Sequence, residues 1–430
     1  MTEQQVFAKC AWRLIPFMGL LLLVNSIDRT NVGFAALTMN KDLGFSPTVF
    51  GLGAGVFFIG YALFQVPANV LLQRIGARRW VFCISAMWSV LSTLNAFVQS
   101  PMSFYAVRFF LGVAEAGFFS GMLLYLTYWF PRTLLAHYTA YFTLAVPLSF
   151  VVGGPLASLF LGFDGVAGIH GWQWLFLIEG VPAFFLAFAV LKFLPDGPVD
   201  ASWLAAGEKH SIALYLAAAE PQGPPNLWPA LRDPRVLAMG VSNFAVQGAG
   251  YGVVLWLPQM AQAMGFSNRA TGFIVSLCFV AGIPAMIFGG RSSSRTGERI
   301  WHVALPWLLA ASGFAVAGVA QANAVVLLAL AFGLIGLFAA YGAFLSLPSS
   351  FLRGDAAAGG IALFGTFGNI GGFFGPALFG VLKQSSGFYA SSMLTVALGF
   401  ALASFIVLAV GRALAAHPKM QLAETDAGAV

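Results

Sequence analysis

Asn69-Val70-Leu71-Leu72-Gln73-Arg74-Ile75-Gly76-Ala77-Arg78 follows the second apolar run of the chain, and Gly290-Arg291-Ser292-Ser293-Ser294-Arg295-Thr296-Gly297-Glu298-Arg299 follows the eighth. Both carry Arg-x-Gly-x-Arg, and they stand 221 residues apart. The same offset carries Gly154-Pro155 onto Gly375-Pro376. Two matches at one offset indicate a duplicated unit, and a repeat constrains the whole architecture before any local assignment is made.

Working outward, twelve segments are apolar over the roughly 20 residues that a spanning helix needs. They are 14–37, 48–72, 80–98, 103–128, 137–161, 172–194, 236–260, 270–290, 301–320, 324–351, 357–382 and 389–411. Connections such as Gln99-Ser100-Pro101 and Gln321-Ala322-Asn323 are too short for anything but antiparallel neighbours. The long hydrophilic stretch lies between segments six and seven. The expected organisation is therefore a six-helix bundle at 1–194, a cytoplasmic linker at 195–234, a second bundle at 235–414 and a tail at 415–430. The predicted fold class is an all-α membrane protein with twelve transmembrane helices in two pseudo-symmetric six-helix bundles.

Composition agrees. Charged residues make up 8% of 430 positions and apolar residues 59%, against about 25% charged in a soluble domain. So few charges cannot coat a soluble surface, and 43 Phe exclude disorder. The net charge of +6 is not gathered into a basic cluster, so no nucleic-acid partner is read. Cys10, Cys83 and Cys278 form no pair motif, and the five histidines are scattered, so neither disulfide nor metal is expected. No cofactor is expected either. Glu3 and Lys9 precede an apolar run without an Ala-x-Ala-like site, and no cleaved leader is read. Sixteen of the 21 Lys and Arg fall on the side of the termini and three on the other. The excess puts both termini in the cytoplasm.

The two remaining bases, Arg29 and Arg108, lie inside the membrane with Asp28, Glu115 and Glu179. Ionisable groups at that depth are costly and need a reason. Arg108 and Glu115 share a face of segment four, two turns apart. Protonating Asp28 and Glu115 would leave two guanidiniums facing the interior, and a guanidinium fork suits a carboxylate. Proton and anion would then bind cooperatively. The alternative is a structural salt-bridge network. Glu179 reads as a hydrogen-bonded structural residue. Segments seven to eleven carry only neutral polar residues in their interiors, among them Asn243, Gln247, Tyr251, Tyr341, Ser346 and Asn369. These suit either hydrogen bonding to the rest of a substrate or contacts between helices.

The chain resembles the major facilitator superfamily, through the repeated loops, and within it the anion:cation symporter family of bacterial hexuronate, aldonate, tartrate and phthalate permeases. Asp28-Arg29-Thr30-Asn31, Gly60-Tyr61 with Gln65-Val66-Pro67-Ala68-Asn69, Arg108 through Phe119, and Gly171-Trp172-Gln173-Trp174-Leu175-Phe176 carry the likeness. The resemblance implies the major facilitator fold and assigns proton uptake to Asp28 and Glu115. It has Arg108 pairing with Glu115 and Arg29 gripping a substrate carboxylate. Tyr61, Ser346 and Asn369 fall where family members contact substrate; Gln247 and Tyr251 join them as candidates. Arg74, Gly76, Arg78, Arg295 and Gly297 read by themselves either as a gating loop or as topology-setting charge. Asn69, Gln73 and Ser294 depart from the family's loop, which usually opens with Gly and carries Asp before the Arg, so hydrogen bonds are expected to replace a charged latch.

The expectation is a monomeric secondary transporter of the inner membrane, not an enzyme, importing an organic anion with protons by alternating access. The competing reading is a proton-coupled exporter or antiporter of amphipathic molecules.

Overall fold

The computed structural model describes residues 3–217, 232–348 and 354–416. The centre of the expected linker (218–231), Arg353, Lys419 and nearly all of the expected tail lie outside them. The described residues are 88% helix, with no strand among them.

The first half begins with α1 (Glu3–Asp42), α2 (Pro47–Ile75) and α3 (Ala77–Leu94). It continues with α4 (Pro101–Glu115), α5 (Phe118–Thr127), α6 (Arg132–Thr143), α7 (Ala145–Leu161) and α8 (Gly171–Phe193). A short helix α9 (Ala206–Ala217) lies in the expected linker. The second half holds α10 (Pro234–Ala263), α11 (Asn268–Val280), α12 (Gly282–Thr296), α13 (Ile300–Val319), α14 (Asn323–Ser346), α15 (Gly354–Ser386) and α16 (Ala390–Ala416).

Eleven helical stretches among the described residues are long and apolar enough to cross a membrane, with α4–α5, α6–α7 and α11–α12 each forming one stretch. The candidate twelfth, α10, is 30 residues long but falls short in hydropathy. Asn243, Gln247, Tyr251 and the glycines at 240, 248, 250 and 252 dilute it. Large apolar side chains face outward, such as Phe288 and Leu328, each 72% exposed. In water such a surface would aggregate; in lipid it is the solvated surface.

Sequence chemistry accounts for the boundaries. Ser46 caps α2, its side chain accepting from the Val49 N–H at 3.2 Å, with Pro47 in the first turn. Ser100 and Ser103 form a capping box at α4. Gly76 ends α2 at φ +86° and Gly297 ends α12 at φ +69°, so both copies of the repeated loop turn through the left-handed region that glycine tolerates.

The described residues divide into two compact units, which are not the two halves of the chain. The first takes those within 1–221, 251–280 and 373–389; the second takes the rest. In the first, α2 packs on α4, α3 on α8, and α1 on α7 and α8. α7 also packs on α11, where Ser158 Oγ donates to the Asn268 carbonyl at 3.0 Å. In the second, α13 packs on α14 and α16, and α12 on α14.

Candidate functional site

The ionisable residues converge in the first unit. α1 presents Asn25, Asp28 and Arg29 within little more than one turn. α4 ends on Glu115, which is 0% exposed. Segment four is not the single helix expected over 103–128: it breaks at Ala116 (ψ 130°) and Gly117 (φ +83°). A Cβ on Gly117 would also lie 2.5 Å from the Ala68 Cβ, so conformation and packing both require glycine. The break leaves the C-terminal carbonyls of α4, with their partial negative charge, beside Glu115 and attractive to a cation.

That cation is Arg29. Its Nη2 donates to Glu115 Oε2 at 2.9 Å and its Nε to the same oxygen at 3.2 Å. Nη2 also donates to Asn25 Oδ1 at 3.4 Å, and Nη1 reaches the Tyr251 hydroxyl of α10 at 3.5 Å. The guanidinium lies over Tyr61 at 5.1 Å and Phe57 at 5.3 Å from the ring centres, within cation–π range.

The expected pairing of Arg108 with Glu115 is not what forms. Arg108 is 0% exposed, and none of its three guanidinium nitrogens has a hydrogen-bond partner among the described residues. Its contact is the face of Phe57, 5.0 Å away. The reason is geometric: two turns of α4 separate Arg108 from Glu115, whereas Arg29 meets Glu115 side-on from another helix. Gly112 permits the arrangement, since a Cβ there would stand 1.9 Å from the Phe57 carbonyl oxygen. Without a side chain at 112, α2 and α4 touch and Phe57 comes up to both guanidiniums.

Asp28 is not ion-paired either. Neutral donors hold it: the Ser92 hydroxyl of α3 and Asn31 Nδ2 at 3.1 Å, both to Oδ1. Asn31 Nδ2 also donates to Glu179 Oε2 of α8 at 2.8 Å. Local neutralisation thus runs through one ion pair, Arg29–Glu115, and not through two. Asn25, Ser92 and Phe57 were not singled out from the sequence, and Asn31 only as part of the family-like stretch 28–31, with no role given to it. The spacing 25/28/29, with Asn31 three residues after Asp28, was the available signal, since such positions share a helix face.

Of the second-half candidates, Tyr251 joins this site. Gln247, Ser346 and Asn369 belong to the second unit. There, Asn243 Nδ2 donates to the Phe364 carbonyl at 2.8 Å. A Cβ on Gly368 would meet that Nδ2 at 2.4 Å and Gln247 Cγ at 3.2 Å, so α10 and α15 touch beside Asn369. Ser346, at the end of α14, donates to the Ala343 carbonyl of its own helix at 2.9 Å.

In the loops, Arg74, Arg78 and Arg295 are exposed. The Arg78 backbone N–H donates to Asp196 Oδ1 at 2.9 Å, and Asn69 exchanges hydrogen bonds with Ser120 at 2.9 and 3.0 Å. In the second copy, Glu298 accepts from the Trp301 N–H at 2.8 Å and from the His302 N–H at 3.2 Å. Among the described residues no three His, Cys, Asp or Glu side chains gather as a metal site would require.

The family description that matches this chain is the Major Facilitator Superfamily, over residues 18–376. A putative tartrate transporter of Agrobacterium vitis is 44% identical over 398 residues, covering 92% of each chain. A quinolone resistance transporter of Acinetobacter baumannii is 39% identical over 407 residues, 93% of this chain and 94% of that one. Among solved structures, a bacterial homologue of the human lysosomal transporter Spinster superposes with a TM-score of 0.76 at 15% identity, covering 93% of this chain and 96% of that one. The last likeness concerns the fold.

Proposed function

Because this chain belongs to the Major Facilitator Superfamily, and is thus a multi-pass membrane transporter and not an enzyme, we propose that it imports a small organic carboxylate together with protons by alternating access. The observation that carries the reading is the Arg29–Glu115 pair, with Phe57, Tyr61 and Tyr251 around it. Ionised Glu115 occupies the Nε/Nη2 edge of Arg29, the edge a substrate carboxylate needs for a two-point grip. A proton on Glu115 replaces the ion pair by a weaker hydrogen bond from the guanidinium to a neutral carboxyl and frees that edge. The incoming carboxylate then takes the place of Glu115, and its negative charge favours keeping the acid protonated. Each ligand strengthens the other by the same factor. Arg108, without a hydrogen-bond partner among the described residues, supplies a second positive charge near the same aromatic ring. Asp28 is the second proton site.

The likeness to a protein named a putative tartrate transporter supports an anionic cargo. In this reading 1–194 and 235–414 are the rocking bundles and 195–234 tethers them. Gln247, Ser346 and Asn369 contact the part of the substrate remote from Arg29, and the two repeated loops gate the cytoplasmic side. The protein works as a monomer in the inner membrane with both termini in the cytoplasm.

The test is uptake of a panel of labelled carboxylates, tartrate first, into vesicles with and without an imposed inward proton gradient. Gradient-stimulated accumulation of a carboxylate is expected; none for any carboxylate would overturn the proposal. The likeness to a quinolone resistance transporter keeps an exporter as the second reading. It predicts instead proton-driven efflux of a quinolone from preloaded vesicles.

A further inference from the structure

We propose that Glu179 is a third proton-binding residue, coupled to Asp28 through Asn31 and placed on the side of the membrane opposite the termini. The inference rests on the proton-coupled reading above and extends it to a residue that reads from sequence as structural. Asn31 Nδ2 sits between two carboxylates, giving one hydrogen to Asp28 Oδ1 at 3.1 Å and one to Glu179 Oε2 at 2.8 Å. The other carboxylate oxygens, Asp28 Oδ2 and Glu179 Oε1, are buried and have no partner among the described residues. Neither acid is ion-paired there.

Two carboxylates sharing a single amide, with no cation bonded to either, cannot both stay ionised cheaply in a low-dielectric interior. A structural pair would keep an Arg or Lys against one of them, as Glu115 does. The nearest further cation is Arg108 of α4, whose charge reaches Asp28 but which bonds to neither acid among the described residues; the helices packed on Glu179 bring none. α7 has no ionisable residue, and those of α3, Arg78, Arg79 and Cys83, lie in its first two turns. On α8 the other ionisable group is Lys192 in the last turn, and from α1 the group facing Glu179 is Asp28. Arg29 is engaged by Glu115.

The order of depths gives the pair a direction. Trp172 Nε1 and His170 Nδ1 lie 3.1 and 3.3 Å from Asp42 Oδ2, so the start of α8 and the end of α1 are level. Counted from there at about 1.5 Å per residue, Glu179 lies roughly 12 Å deep, Asn31 roughly 16 Å and Asp28 roughly 21 Å. Glu179 is therefore reached first from that side. A proton released from the Glu179 carboxyl and taken by Asp28 converts one acid to carboxylate and the other to neutral, so the charge of the pair is unchanged: the proton moves toward Arg29 and the negative charge moves back to Glu179. Asn31 stays a donor to whichever oxygen carries the charge.

The experiment is infrared titration of protonated carboxyl groups in the purified full-length protein, which needs no knowledge of the substrate. Glu179→Gln is expected to remove one pH-dependent carboxyl component and to move the midpoint of the Asp28 component by about one pH unit, a tenfold change in proton affinity. Asn31→Ala is expected to keep both components and weaken their mutual shift. An unchanged spectrum in Glu179→Gln overturns the inference. Should that variant not fold, Asp28→Asn decides: the Glu179 component must remain and its midpoint must move, and a fixed midpoint overturns the inference equally. If Asp28→Asn loses a component and Glu179→Gln does not, this inference alone fails. If neither loses one and Glu115→Gln loses none either, the proton-coupled reading fails with it.

Discussion

Glu115→Gln isolates the competition on which the transport reading rests. Gln has nearly the shape of Glu and still accepts from Arg29, but it carries no charge. Oppositely charged groups about 4 Å apart interact by about 4 kcal/mol at an effective dielectric of 20. Arg29 meets a single Glu115 oxygen at 2.9 and 3.2 Å in a buried setting. The amide still accepts from the charged guanidinium, a bond worth about 1.5–3 kcal/mol, and losing any partner leaves that guanidinium buried and uncompensated. The net advantage to a competing carboxylate is thus roughly 1–2.5 kcal/mol, or about 5–70-fold in affinity. Glu115→Gln should bind tartrate about 5–70-fold more tightly than the parent protein near pH 8, with the pH dependence of binding largely lost. Gradient-driven accumulation should be abolished while exchange of bound for free substrate survives. Calorimetry in detergent measures the affinity and counterflow in vesicles the exchange. An affinity equal to the parent's, with its pH dependence intact, refutes the competition.

Arg29→Lys replaces the planar fork by a point charge and should weaken carboxylate binding at least about tenfold; parental affinity would make Arg29 structural. Gly117→Ala imposes a left-handed conformation costing about 1–2 kcal/mol and a contact with Ala68. It should lower thermal stability in detergent, and an unchanged melting temperature contradicts the described break in segment four. Lys9 Nζ donates to both Glu208 oxygens at 2.8 and 3.0 Å, and these bonds, with one from the Ala205 N–H, hold the Glu208 carboxyl below its usual 4.5. A depressed carboxyl stabilises above its unfolded value and ceases to as the pH falls through its folded one. A fluorophore on α9 should therefore report loosening below pH 4.5 in the parent, and Lys9→Met should loosen α9 already at neutral pH.

Segment lengths and the repeated loop were legible because lipid imposes length and apolarity on every span. Gly76 and Gly297 could be expected at turns because the two copies of the loop share them. What the sequence hid were choices made between helices. Spacing along α4 drew Arg108 toward Glu115, but Arg29 arrives from α1 at a better angle and takes the acid. The break at Ala116-Gly117 left no trace because the apolar run continues across it. Glu179 looked structural because nothing in a one-dimensional reading joins position 179 to positions 28 and 31. Conversely, 236–260 reads from the sequence as a mostly apolar span, although the polar residues and glycines of α10 keep it outside the clearly apolar set.

The most direct test of coupled import is the proton that accompanies the cargo. Liposomes containing the protein and a trapped pH-sensitive dye, with equal pH on both sides and the membrane potential clamped, receive external tartrate. Import with protons acidifies the lumen as tartrate enters, and Asp28→Asn or Glu115→Gln removes the acidification. Tartrate entering with no change in lumenal pH, or with alkalinisation, would contradict the account.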